Sequence, residues 1–588
     1  LTPGTAGIDM SPATQAFLIQ SKITIGADQT WNIGNANTDG NSIGFNNNED
    51  LAFQALAAGA AFNFGGKTVT TTGNGYVTIS SGYSLSNGTL ATGNNLFVIQ
   101  GGGSTTTNIL NTTNLVVNSG RLRLQSNSGA GGNSLVSAAP VTVNGGIFEM
   151  RGNNASNALT HSGNITLNNG SGLSLLVDSS GTNLISGNIA VAGSSTWRVT
   201  GGGTPANGGS ITGAVSGAGN ISYLNTGTGT GAFARLSGDN SGYTGTFTLN
   251  GASGNRSLRL GSANSGSAAA TWDVALNNIL QVDGLSVQLG TLNGAGTVTN
   301  SHATNPATVN IGAGAFSGSI IDGTQPIAVN KVGSGVLRLT GLNTYTGLTT
   351  VTQGSLFHSP DHSNNASAIS VADGATYGAV LEAQDTALGV GDVRVGNTTG
   401  ATLAGEYKGL TNPAFESTSV NNLRFNGAST IKLQGKALTT GTFPVVQYAT
   451  LDPASTPVSG LSLVLPTRTT GTLSNVGSTI SVNIASTEQV KWNGNLSENW
   501  DIDPDGTGSS GTLNWLTTVT NAPARYLQGT AGTDVANFDD SAAGSGTVNL
   551  TAALSPVGVI VNNAGKAYTF TGSGKLTGDM ELMKKGTG

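Results

Sequence analysis

Carboxylates alternate with other residues in Asp501-Ile502-Asp503-Pro504-Asp505-Gly506, the stretch whose spacing is best suited to chemistry. It matches the first half of a calcium loop, in which Asp501, Asp503 and Asp505 would converge on a hard cation and Gly506 would permit the sharp turn. The twelfth position should carry a bidentate Glu, but Thr512 stands there. A solvated Asx-rich turn, with each carboxylate bonded to its own backbone, is the competing reading. Beyond calcium at this loop, no cofactor is expected.

Two imidazoles and a carboxylate lie close together in His358-Ser359-Pro360-Asp361-His362, enough to hold a metal on a helix. Pro360 opposes a regular helix, so a polar loop after the Ser355-Leu356-Phe357 strand is expected instead. His161 and His302 stand alone. Gly65-Gly66-Lys67-Thr68 imitates the end of a phosphate-binding loop, but the required first Gly falls on Ala61. The following Val69-Thr70-Thr71 reads as strand, not as the helix a phosphate site needs.

Composition limits what can position these groups. Glycine supplies 90 of 588 residues and charged residues only 9%, against about 25% charged in ordinary soluble chains. Gly, Ser, Thr and Asn disfavour helix interiors, whereas Thr and Val suit a pleated surface, so an all-β chain with many turns is expected. Disorder is the alternative for so polar a sequence, but 37% of residues are hydrophobic and Leu, Val and Ile recur at intervals that disordered chains lack. Only residues 49–58 read as a plausible helix, with strand as the alternative.

Net charge is −6, with no basic cluster before Lys584-Lys585, which argues against nucleic acid as a partner. Without cysteine there is no disulfide or thiolate chemistry; this fits export in an unfolded state. No apolar run is long enough for a membrane-spanning helix. Leu1 is not an initiator Met, so the start reads as processed or as the edge of a longer polypeptide.

An internal repeat supplies the architecture. Val117-Asn118-Ser119-Gly120-Arg121-Leu122-Arg123-Leu124 matches Val143-Asn144-Gly145-Gly146-Ile147-Phe148-Glu149-Met150 in character along its length. The phase continues through Ile165-Thr166-Leu167 and Ile189-Ala190-Val191, each preceded by Ser-Gly-Asn, so marker residues fall at 117, 143, 167 and 191. Spacings of about two dozen residues suit one coil of a parallel β-helix, a solenoid of about two dozen turns and on the order of 100 Å. Apolar residues two apart should line its interior: Leu115, Val117, Leu122, Leu124, Val141, Val143, Phe148, Met150, Ile165, Leu167, Ile189 and Val191. Arg121 and Arg123 take the opposite phase and should face water.

A more specific motif begins at Gly333-Ser334-Gly335-Val336-Leu337-Arg338-Leu339-Thr340-Gly341-Leu342-Asn343-Thr344-Tyr345-Thr346-Gly347 and runs on through Val351 to Leu356. It closely resembles the autotransporter-associated β-strand repeat, also called the passenger-associated transport repeat, with Leu337, Leu339, Tyr345, Val351 and Leu356 as core positions. A second copy, Leu236-Ser237-Gly238-Asp239-Asn240-Ser241-Gly242-Tyr243-Thr244-Gly245-Thr246-Phe247-Thr248-Leu249, departs from the pattern upstream, where Ala234-Arg235-Leu236 replaces Leu-x-Leu and no Lys leads the Gly run. Lys584-Lys585-Gly586-Thr587-Gly588 parallels Lys331-Val332-Gly333-Ser334-Gly335, so the polypeptide is expected to continue.

The resemblance implies a right-handed β-helical passenger exported across a Gram-negative envelope and displayed extracellularly or at the cell surface, associated with the outer membrane. No outer-membrane barrel pattern occurs in these residues, which places any anchor elsewhere. The expected organisation is an N-terminal β region over 1–100, the parallel β-helix over 101–400, a module-closing segment over 401–485 and the start of a further module over 486–588. Hairpin-like strands are expected at 430–433, 443–448 and 479–484. The Trp residues at 492, 500 and 515 read as packing anchors more than as a glycan platform.

Function is then expected to be that of a structural or adhesive stalk, not an enzyme. An extracellular filament or sheath subunit stacking end to end is one alternative. A polysaccharide lyase or hydrolase is another, although the paired carboxylates such chemistry needs are sparse through 101–350. Expected partners are other copies or neighbouring modules, surface glycans, or receptors on host or neighbouring cells.

Overall fold

The computed structural model describes the chain except for residues 1–4, 11–12, 14, 35–49, 55–59, 81, 102–106, 127–134, 153–157, 178–181, 202–208, 227–232, 252–255, 363–366, 383–385, 409, 436–437, 531 and 579. It is 56% strand and 1% helix, and parallel coils stack into a β-solenoid of about 21 turns. Its contacts divide into two units, Leu1–Gly347 and Leu348–Gly588.

In the first unit, alternation of apolar and polar residues decides which way each side chain points, and parallel pairing decides what it meets. Val117 pairs with Val143, Val143 with Leu167, and Leu167 with Val191, all four fully buried. A second wall runs Leu122–Phe148–Leu173–Trp197–Tyr223 and Leu124–Met150–Leu175–Val199. Farther along, Tyr223 is followed by Leu249 and Val274, and a neighbouring inward column runs Ile221–Phe247–Trp272, with the Phe247 and Trp272 rings stacked at 5.1 Å. Burying each Leu, Ile, Val or Phe side chain contributes about 1.5–3 kcal/mol.

Corners stack as closely as walls. Gly163, Gly187, Gly213 and Gly238 lie one above another, and a Cβ on any of them would fall 1.9–2.1 Å from a carbonyl oxygen of the coil before. Only hydrogen fits there. Beside this column the Asn164 side chain accepts from the Asn188 N–H at 3.2 Å, and Asn188 from the Ala214 N–H at 3.0 Å. At another corner Asn168 donates to Asn144, and Asn144 to Asn118, each at 2.8 Å.

The second unit is also built of parallel coils: Thr349–Val351 pairs with Ile369–Val371, which pairs with Val393–Val395, and Thr376–Leu381 pairs with Thr402–Tyr407. The direction then reverses. Thr479–Thr487 runs antiparallel to both Gly441–Leu451 and Thr469–Val476, making a hairpin over the last coils. Beyond it Val490–Trp492, Val535–Asp539, Gly558–Asn562 and Glu581–Lys585 again pair in parallel. They enclose a core of Trp492, Trp500, Trp515, Tyr526 and Phe538. Arg468 ties hairpin to core: its Nε meets Asp534 Oδ1 at 2.8 Å, and a terminal nitrogen meets Oδ2 at 3.0 Å.

Three expectations are corrected. Within 49–58, Leu51–Gln54 is a strand paired with Tyr76–Ser80, because in-register neighbours outweigh local helix propensity; 49 and 55–58 lie outside the described residues. Residues 430–433 belong to a solenoid strand parallel to Thr402–Tyr407 and Ser462–Val464, not to a hairpin. Arg123 does not face open water: its side chain is 13% exposed and is paired through Nε with Glu149 one coil on.

The glycine corner column yields a direct test. Gly187→Ala places a methyl against the Gly163 carbonyl and should cost about 1–3 kcal/mol or more through forced displacement. Urea unfolding of the purified chain measures it, with the same change at Gly170, where no atom lies within 4 Å but φ is +77°, costing about 1 kcal/mol from backbone strain alone.

Candidate functional site

The motif copies show how this chain uses its polar residues. Asn240 and Asn343 sit in loops yet are buried. Asn240 Oδ1 accepts from the Val215 N–H at 2.7 Å while its amide donates to the Ser265 carbonyl at 2.8 Å, so one side chain joins the coils before and after it. Asn343 accepts the Ile320 N–H at 2.9 Å in the same way. Tyr243 and Tyr345 are buried, and the single Tyr243 O–H is shared between the carbonyls of Gly219 at 2.9 Å and Thr246 at 2.8 Å. Gly347 completes the loop, where a Cβ would strike the Ile327 carbonyl at 2.3 Å. The copy at 236–249 therefore makes the same coil-to-coil bond as the fuller one, despite its different upstream strand.

Lysine begins a further shared element. The Lys331 ammonium donates to the carbonyls of Val332 and Gly333, both at 2.7 Å, and burial pushes its pKa down to about 8. Lys584 bends over its own turn alike, donating to Lys585 at 2.8 Å and Gly586 at 3.4 Å. Gly333 and Gly586 both take positive φ, +68° and +75°.

Aspartates staple coils from outside. Asp373 accepts from the N–H groups of Asn397 at 2.7 Å, Gly400 at 3.0 Å and Thr398 at 3.0 Å, and from the Thr398 hydroxyl at 2.8 Å. The Asn397 and then the Gly400 N–H lead in holding its carboxyl well below the usual range. Asp540 is lowered likewise by the N–H groups of Lys566, Ala564 and Gly565. Asp322 takes the Thr346 hydroxyl at 2.6 Å. Sequence reading missed these residues. A carboxylate about one coil ahead of a Thr- or Gly-containing turn is the signal that could have found them.

The candidate calcium carboxylates do different things. Asp501 accepts from the Thr512 N–H at 2.8 Å and hydroxyl at 2.5 Å, and Asp505 from the Thr507 N–H at 3.0 Å. Asp503 is buried, accepts from the Gly508 N–H at 3.1 Å, and is held by a backbone bridge to Leu527. Gly506 does take the positive φ, +70°, that the loop pattern requires. Among the described residues no three His, Asp or Glu side chains gather as metal ligands.

His358 and His362 come together. His358 ends the strand Ser355–His358, one residue farther than expected, and His362 closes the turn that follows, its N–H donating to the Ser359 carbonyl at 3.0 Å; contrary to a polar loop open to water, both imidazoles are buried, stacked at 4.0 Å with ring planes 17° apart. His358 Nδ1 lies 3.1 Å from the Tyr377 hydroxyl. Burial, with His362 adding repulsion, holds the His358 pKa well below 6.5; burial alone lowers His362 and His161 to about 4. Lys67 and Thr68 lie in the strand Ala60–Thr72, as the sequence around them implied. Trp492, Trp500 and Trp515 are fully buried against one another and Phe538, with no face open to a sugar ring.

No family model, curated protein or solved structure matches this chain in searches of all three kinds.

Two predictions follow from these contacts. Asn240→Ala and Asn343→Ala each strand a buried N–H and should cost about 1–3 kcal/mol, whereas exposed Asn114→Ala should stay within about 0.5 kcal/mol in the same urea titration. The buried histidines are depressed in the folded state, so unfolding takes up protons: their stabilisation is complete above pH 6.5 and is lost as pH falls towards 4. Asp373 and Asp540 add a second loss below 3.8. Urea midpoints against pH should show both steps, and His358→Gln with His362→Gln should shrink the first.

Proposed function

We propose that this chain is a non-catalytic structural or adhesive stalk, carried by a larger exported bacterial protein and displayed at the cell surface. The observation that carries this reading is where the polar side chains are directed. Asn240, Asn343, Asp373 and Asp540 bond the neighbouring coil. Side chains so engaged resist peeling of one coil from the next, which is what a load-bearing stalk requires. The resemblance of residues 333–356 to passenger repeats adds the route: export and outward display. Absence of cysteine is compatible with passage of an unfolded chain.

Protease shaving of intact source cells tests the placement, and loss of the protein with the cytoplasmic proteins retained is expected. Protection in intact cells with cleavage only after lysis would overturn surface display. Uronate polymers incubated with the purified chain, with and without calcium, should remain uncleaved; unsaturated or reducing ends appearing at a catalytic rate would replace the stalk with an enzyme.

A further inference from the structure

We infer that two copies of this chain pair side by side through the Thr469–Val476 strand, antiparallel and about a two-fold axis. This strand is bonded on one side only. Thr479–Thr487 occupies that side, while no backbone-to-backbone hydrogen bond among the described residues leaves Thr470–Val476 in the other direction. At its base the Thr469 N–H donates to the Pro466 carbonyl at 3.1 Å, and the protection ends there. A strand edge in this state is a row of donors and acceptors ready for another strand.

Natural edges are usually guarded by a lysine, a proline, an inward charge or a bulge. From Thr469 to Thr487 this hairpin has no charged residue and no proline, and its one register irregularity falls between Thr470 and Gly471, near the base. The stretch beyond it, Gly471-Thr472-Leu473-Ser474-Asn475-Val476, carries none of these devices; the turn Val458–Gly460 and the Leu465 side chain pack near the strand but take none of its backbone hydrogen bonds. It is also held in shape. Ile480, Val482 and Ile484 of the adjacent strand are buried, and the Tyr448 hydroxyl bonds Asn475 at 3.0 Å and the Gly477 carbonyl at 3.1 Å. Val476, at the tip, is 78% exposed.

Charge selects the partner. Copies of a chain with net charge −6 repel one another over most of their surface, and a hairpin without charge is where approach costs least. An antiparallel edge is complementary to itself under two-fold rotation, so a second copy supplies every donor and acceptor needed. The joined strands would extend the sheet Gly441–Leu451, Thr479–Thr487, Thr469–Val476 across both molecules. A strand edge alone buries less surface than a standard interface, so association should be weak and concentration-dependent. The inference is independent of where the protein is displayed.

Sedimentation velocity of the full chain over a dilution series is the test, and a shift from 58.5 kDa towards twice that mass with concentration is expected. Thr472→Lys with Ser474→Lys, at exposed positions, should hold the chain monomeric with its melting temperature unchanged. Because the chain has no cysteine, single changes Thr470→Cys, Thr472→Cys and Ser474→Cys report proximity without background. At least one should form a disulfide-linked dimer on mild oxidation about tenfold faster than exposed Asn114→Cys, since pairing raises the local thiol concentration. A monomer at every concentration, a dimer that survives the two lysines, or cross-linking no faster than Asn114→Cys would each overturn the pairing.

Discussion

In-register parallel stacking is the constraint on which everything else depends. Once a strand lies over its counterpart about two dozen residues away, every side chain meets the residue in the same position one coil on. Val117, Val143, Leu167 and Val191 become a column because of this, and so do Gly163, Gly187 and Gly213. One position's chemistry is therefore never independent of its neighbours above and below. A slip of a single residue would turn the apolar set outward along every strand involved.

That geometry explains a composition so poor in charge and so rich in glycine, asparagine and threonine. Corners pass so close that carbon is excluded at some positions, and the carbonyl and N–H groups left over at a bend need partners. Short amides supply them. Asn240 is long enough to reach the coil before and the coil after from one loop, and Asn118, Asn144 and Asn168 pass a bond along the surface. Aspartate does the same from outside at Asp373, where the converging N–H groups favour the ionised form.

Stacking cannot continue where the chain reverses. The antiparallel hairpin of Thr469–Val476 and Thr479–Thr487 changes the hydrogen-bond direction, so the strand at its outer side has no coil to receive. The chain restarts through Arg468, whose guanidinium holds the buried Asp534 carboxylate and also donates to the Arg525 carbonyl at 2.8 Å. Burial raises the Asp534 pKa, and Arg468 counters it. The aromatic core around Trp492, Trp500 and Trp515 then closes on itself.

The sequence by itself determined the fold class, the coil length and the inward residues, from Leu115 to Leu356, because alternation and spacing are local properties that a solenoid repeats. It also marked 430–433, 443–448 and 479–484 as hairpin-like strands, of which the latter two pair antiparallel. Only the tertiary structure decided what depends on a partner far along the chain: that Leu51–Gln54 is strand, that residues 430–433 stay in the parallel stack, that Arg123 turns to Glu149, and that Asn240 and Asn343 join coils. It also decided that His358 and His362 enter the core and that Asp501 and Asp505 turn to separate threonines. Side-chain direction is set by the nearest residues, whereas a hydrogen bond or a burial is set by whichever residue the stacking register brings opposite.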